Sequence, residues 1–224
     1  MSAASVHDPD ALWHIAHDRC VPSAGAGHGP QPCARVDPDG GYVLLKDLVG
    51  SLQYLLIPTA RVTGIESPAV LAPDTPHYFA EAWHNRCIMA RRFGHAIPDN
   101  GVLLALNSRH GRTQNQLHIH ISCIDPQVKT QLTHMARRID TRWAALPKPP
   151  HGHRYIGRRV SLNTLESESA TRLLAGHDDR RPAYGRLQRG PHLDRRCRAG
   201  AACDAYAPPA RQFRIGRRTG IACL

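Results

Sequence analysis

Residues 116–123, Gln-Leu-His-Ile-His-Ile-Ser-Cys, constrain the fold more than any other stretch because their alternation is strict. In an extended chain Leu117, Ile119, Ile121 and Cys123 fall on one side, and Gln116, His118, His120 and Ser122 on the other. Side chains on a strand repeat every two residues. The segment therefore predicts a β-strand with one apolar face and one face bearing two imidazoles, an amide and a hydroxyl. An ordinary half-buried strand carries Thr, Lys or Glu on its wet face. Two histidines there point to chemistry.

Three readings of the pair compete. The rings can simply meet solvent or neighbouring polar groups, the commonest fate of an isolated His-x-His. They can share a Zn²⁺, but a metal needs further ligands. No CxxC, HExxH or carboxylate cluster elsewhere in the sequence supplies them at recognisable spacing. The third reading is nucleophilic catalysis at phosphorus. Neutral imidazole, with an unperturbed pKa of about 6.5, keeps a nitrogen lone pair free near neutral pH. A second histidine on the same face can then donate a hydrogen bond or a proton to the departing phosphate oxygen. The upstream loop, Asn107 to Asn115, favours this third reading. Its amides, hydroxyls and two guanidiniums, Arg109 and Arg112, suit the spread negative charge of a phosphoryl transition state.

The motif resembles the signature of the histidine-triad (HIT) superfamily of nucleotide hydrolases and transferases, in which histidines alternate with apolar residues. More narrowly, Arg112 to Cys123 is similar to the signature of the bacterial CDP-diacylglycerol pyrophosphatase family. Four further blocks carry that resemblance: His17-Asp18-Arg19-Cys20, Pro32-Cys33, Gln53 to Thr59, and Arg61 to Pro68. It runs from about residue 10 to about residue 168. One departure stands out, because Gln116 occupies the first triad position, where the superfamily has His.

The resemblance implies hydrolysis of CDP-diacylglycerol to CMP and phosphatidate through a covalent nucleotidyl-histidine. His118 matches the nucleophile and His120 the third histidine. Asn107, Arg112, Thr113, Gln114 and Gln116 are expected to contact substrate, with Arg109 in reserve, and neither metal nor cofactor is expected. The family is membrane-associated, with its catalytic domain outside the cytoplasm. This chain has no apolar run of 18 residues and no signal peptide at Met1.

The net charge of +11 invites a nucleic-acid reading, but its distribution argues otherwise. Residues 169–224 hold twelve Arg, no Lys, four Asp and no Glu, a net of +8, which leaves the body at +3. That tail is rich in Arg, Ala, Gly and Pro, and its apolar residues follow no period. We therefore expect a catalytic domain over 1–168 and an irregular or disordered tail over 169–224. An absence of Lys suits an out-of-frame translation of a high-GC gene better than a selected basic arm. Shifting the reading frame near codon 168 should then recover a family-like strand sequence.

Cys20 and Cys33 flank a Pro/Gly-rich loop, which suits a local disulfide. Such a bond contributes about 3 kcal/mol in the chain-entropy model. The alternative is two free thiols in a reducing compartment.

Along the body, Asp8-Pro9 opens a helix to about Arg19. Tyr42 to Lys46 and Leu52 to Ile57 read as a hairpin about Asp47 to Gly50. Phe79, Trp83, Cys87 and Ala90 place one face of a helix, starting near Pro76 and running through Phe93, on the core. Val102 to Leu106 reads as a strand, and Asp125-Pro126 opens a further helix. His134 reads as a surface histidine and Trp143 as a packing residue. His151 and His153 form a second His-x-His in a solvated loop, and Tyr155 to Val160 reads as a last strand. The architecture expected is α+β, a HIT-like antiparallel sheet with helices packed on one face.

Two functional rivals stay open. One is a soluble nucleotide hydrolase or transferase of the wider superfamily. The other is a non-enzymatic basic protein that binds nucleic acid or anionic lipid through its tail.

Overall fold

A computed structural model describes residues 8–147, 155–176, 213–214 and 222–223. Its centre is a six-stranded antiparallel sheet built on β1 (Arg35–Asp37), β2 (Tyr42–Lys46), β3 (Tyr54–Pro58), β4 (Val102–Leu106) and β5 (Ile119–Cys123). The spatial order is β1-β2-β3-β5-β4, and the short strand Ala222–Cys223 lies beyond β4. The strand carrying His120 is thus central, with Leu55 of β3 and Ala105 of β4 directly opposite that histidine.

The runs in β3 and β4, Tyr-Leu-Leu-Ile-Pro and Val-Leu-Leu-Ala-Leu, are apolar without alternation, and every residue in them is buried. Continuous apolarity of this kind belongs to a strand covered on both sides. One face presents Tyr42, Leu44, Tyr54, Leu56, Leu104, Ile119 and Ile121 to the main core. Helices Tyr78–His84 and Cys87–Phe93 pack there, as do Leu162–Ser167 and Ala170–Ala175. The opposite face presents Val43, Leu45, Leu55 and Ile57 to a second, smaller core. The N-terminal helix covers this part through Leu12, Ile15, Ala16 and Cys20. The fold is α+β, and helical cover extends onto part of the second face as well.

That N-terminal helix differs from its sequence reading. It passes from Ala11–Trp13 through a π-helical segment, His14–Cys20, into Val21–Gly25. Pro22 has no N–H, and its ring would crowd the carbonyl four residues back, so the wider turns upstream relieve that crowding. A disulfide joins Cys20 to Cys33, with Cα atoms 5.7 Å apart, and ties the helix to the segment entering β1.

The single helix expected through Phe93 is two. Asn85 interrupts it by donating from Nδ2 to the Tyr42 hydroxyl (2.9 Å) and to the Glu81 carbonyl (2.8 Å). A short amide that bonds its own backbone competes with continued helix. The helix after β5, Pro126–His134, starts where the sequence put it, with Asp125 Oδ1 accepting from the Gln127 and Val128 amides.

Past residue 168, the helix Ala170–Ala175 still belongs to the body. Ala170 is buried, and Thr171 and Arg172 donate to the carbonyls of Val70 and Ala72. Tyr155 to Val160 forms two short bridges rather than one strand: Ile156–Gly157 pairs with Ala144–Ala145, and Arg159–Val160 with Phe213–Arg214. Trp143 packs against the main core and His134 is exposed. His151, His153 and residues 177–212 lie outside the described residues.

Candidate active site

The motif's residues divide between support and chemistry. Gln116 is fully buried, and β5 itself begins only at Ile119. Gln116 Nε2 donates to the carbonyls of Pro58 (2.9 Å) and Ala60 (2.8 Å), and its Oε1 accepts from the Val62 amide at 3.3 Å. Its side chain braces the chain leaving β3. Direct substrate contact, expected from its place in the motif, conflicts with this burial and full bonding.

His118 is also buried, at 6% exposure. Its Nδ1 donates to the Gln116 carbonyl at 2.7 Å, which fixes the ring's tautomer and leaves the lone pair on Nε2. Burial pushes its pKa down to about 4, and the neighbouring His120 pushes the same way. The Gln116 carbonyl and the Asp47 carboxylate oppose them, while the Arg112 charge adds to the lowering. The ring is therefore neutral through the physiological range. The two imidazoles meet edge to face, with centroids 5.0 Å apart.

His120 sits in a polar cage. Its Nδ1 lies 3.1 Å from Gln53 Nε2 and 3.7 Å from Asp47 Oδ2, and its Nε2 lies 3.3 Å from Asn107 Nδ2. A neutral imidazole has one lone pair; with the Nδ1 proton turned to Asp47, that pair sits on Nε2 and accepts from the Asn107 amide. Gln53 also donates to Asp47 Oδ2. Burial alone would raise the Asp47 carboxyl; hydrogen bonds from His120, the Val49 amide and Gln53 outweigh it and bring it down to about 2. Asp47 is thus a fixed negative charge beside His120.

The loop before β5 contributes differently from its sequence reading. Arg112 forms a bidentate pair with Glu66, at 2.8 and 2.5 Å, with the two side chains 6% and 20% exposed. Burial favours protonated Glu66, but the Arg112 guanidinium overrides it and holds the carboxyl below its ordinary range. A Cβ at Gly64 would collide with Arg112 Nη1, so the Val-Thr-Gly-Ile-Glu block is shaped to seat this guanidinium. Arg112 Nε is buried and has no hydrogen-bond partner among the described residues.

Gln114 accepts from the Leu12 amide (2.9 Å) and donates to the Asp8 carbonyl (2.8 Å), pinning the start of the N-terminal helix. Thr113 and Arg109 are exposed. Of the residues expected at the site, His118, His120 and Asn107 come together. Arg112 reaches the cluster through its charge, and Gln114 and Gln116 serve the scaffold.

Asp47 and Gln53 are the participants that the sequence reading missed. Both flank what reads as an ordinary hairpin turn. The one available signal was that Gln53 opens a block shared with the family. No group of three or more metal-ligating side chains occurs among the described residues.

Taken as chemistry, the cluster offers a neutral nitrogen lone pair, a second imidazole beside it and a buried cation nearby. This set suits attack on a phosphorus centre and stabilisation of the departing oxygen. The family model for CDP-diacylglycerol pyrophosphatase matches residues 7–186.

Proposed function

The chain belongs to the CDP-diacylglycerol pyrophosphatase family, whose members are hydrolases, and from that premise we propose that it works through a covalent histidine intermediate. His118 Nε2 attacks the cytidylyl phosphorus, the new N–P bond forms, and the bridging P–O bond breaks to release phosphatidate. Water then attacks the same phosphorus, the N–P bond breaks, and CMP leaves with His118 neutral again. The observation carrying this reading is the His118 ring: buried, anchored through Nδ1 to the Gln116 carbonyl, and presenting an unprotonated Nε2.

His120, whose ring meets His118 edge to face, is the residue we assign to the bridging oxygen, with Asn107 yielding its contact with Nε2 to the substrate. Asp47 and Gln53 act as positioning residues that hold that ring. Arg112, fixed by Glu66, supplies a static positive charge toward the diphosphate. The alternating histidines and the carbonyl-anchored nucleophile also support placing the chain in the wider histidine-triad superfamily. A disulfide between Cys20 and Cys33 supports a catalytic domain that works outside the cytoplasm.

The test uses CDP-diacylglycerol labelled in its cytidylyl phosphate. Rapid quenching should trap label on His118, and His118→Asn should abolish both the trapped species and turnover, by a factor of the order of 10⁶. Label on another residue, or normal turnover by His118→Asn, would refute the mechanism.

A further inference from the structure

We infer that the tip of the β2–β3 hairpin, Leu48 and Val49, is a membrane-docking element that brings the catalytic cluster down onto an anionic lipid surface. The inference rests on the reading above, in which the substrate is lipid-linked. Leu48 is 101% exposed and Val49 58% exposed, and among the described residues the only other exposed large apolar side chain is Leu71. Scattered single apolar residues on a surface need no explanation, whereas an adjacent pair projecting from a loop tip beside a catalytic cluster does.

The chain holds this tip out instead of folding it back. The Lys46 ammonium donates to the carbonyls of Asp47 (2.6 Å) and Gly50 (2.8 Å), bracing the loop from inside. Gly50, at φ +75°, supplies the left-handed turn that reverses the chain. Arg92 Nε donates to the Ser51 carbonyl at 2.9 Å, which puts a guanidinium beside the loop. Arg91 is exposed in the same last helical turn.

Asp47 is the one acidic residue between Lys46 and Gln53, and its carboxylate is turned inward to His120 and Gln53. The outer surface therefore combines apolar side chains with a cationic flank. Interfacial lipid-binding elements have this composition, with apolar groups entering the acyl boundary and cations meeting anionic headgroups.

The order of residues fits the direction in which a lipid substrate would enter. His120 lies level with Leu55, the second residue after the hairpin loop, while His118 lies farther along β5, away from the tip. From the tip inward the sequence of groups is Leu48, Asp47, His120, His118. The phosphatidate that leaves past His120 thus lies on the lipid side, and the nucleotide on His118 lies on the interior side.

The test compares one headgroup in two settings. Wild type, Leu48→Asp and Leu48→Trp are given a short-chain CDP-diacylglycerol below its micelle concentration. They are also given dioleoyl CDP-diacylglycerol in vesicles of phosphatidylcholine and phosphatidylglycerol. Leu48→Asp should lose about tenfold or more on vesicles and in vesicle co-sedimentation, while short-chain turnover stays within about twofold. Leu48→Trp should keep vesicle turnover, and the introduced indole should shift its emission to the blue and be quenched by brominated lipid. Equal behaviour of Leu48→Asp and wild type on vesicles would overturn the inference, and so would a loss of equal size in both settings. An indole unaffected by vesicles would overturn it too and leave the tip to a protein partner. A wild type inactive on both substrates would count against the catalytic reading alone, because co-sedimentation still decides docking.

Discussion

Two loops flank the histidine strand, and they reverse the roles their compositions suggest. The loop before β5, residues 107–116, is full of guanidiniums and amides, yet its polar side chains mostly hold the protein together. Arg112 is locked to Glu66, Gln114 pins the N-terminal helix, and Gln116 braces the exit from β3. The hairpin loop, residues 47–53, reads as an ordinary turn, yet its carboxylate and amide reach His120. A donor-rich loop next to a motif is not thereby a binding loop. Which side chains face the chemistry depends on strand register, and β3 stands beside β5.

Substitutions can break this contrast. Arg112→Ala should have the largest effect on folding, leaving the half-buried Glu66 carboxylate without its partner at about 1–3 kcal/mol, read as a lower denaturant midpoint. Replacing Arg112 and Glu66 together by leucine should restore much of that stability without restoring turnover. Recovery of full turnover in the double variant would show that the Arg112 charge plays no part in catalysis.

Asp47→Asn should act mainly on turnover, with kcat down about 10- to 100-fold, part of what a positioned acid contributes, and should cost about 1–2 kcal/mol of folding as the hydrogen bonds that depress its pKa weaken. The pH profile separates a positioning role from a structural one. The proposed mechanism needs neutral His118, so on that reading kcat/KM should hold as pH falls past 6 and drop only near pH 4, where that ring protonates. The Asp47 charge raises the proton affinity of His118, so Asp47→Asn should move this acid limb to lower pH. Folding stability tracks the same group: the unfolded ring binds a proton near its ordinary 6.5 and the native ring only near 4. Stability should therefore decline as pH falls between those values, and this group adds no further loss below them. The smallest effect belongs to Gln114→Ala, about 1 kcal/mol from two partly exposed hydrogen bonds, with kcat unchanged.

Much of the frame was legible because its signals are local. The extents of β2 and β4 and the Asp125-Pro126 helix start all follow from runs, breakers and caps within a few residues. Alternation at 116–123 also put both histidines on one side correctly. Three features were hidden because they are settled by partners distant in sequence. Asn85 breaks a helix by bonding to Tyr42 across the core. Gln116 turns inward because the backbone leaving β3 offers it three partners. Asp47 gains its role only when β2 and β3 come to lie beside β5.

The central claim is that the His118 nitrogen bonds to phosphorus during turnover, and the stereochemistry at that phosphorus tests it most directly. A CDP-diacylglycerol carrying a chiral cytidylyl phosphorothioate would be hydrolysed in water enriched in heavy oxygen, and the configuration of the product read by phosphorus NMR. Two in-line displacements, first by His118 and then by water, predict net retention. Net inversion would mean that water attacks the substrate directly, and would contradict the account.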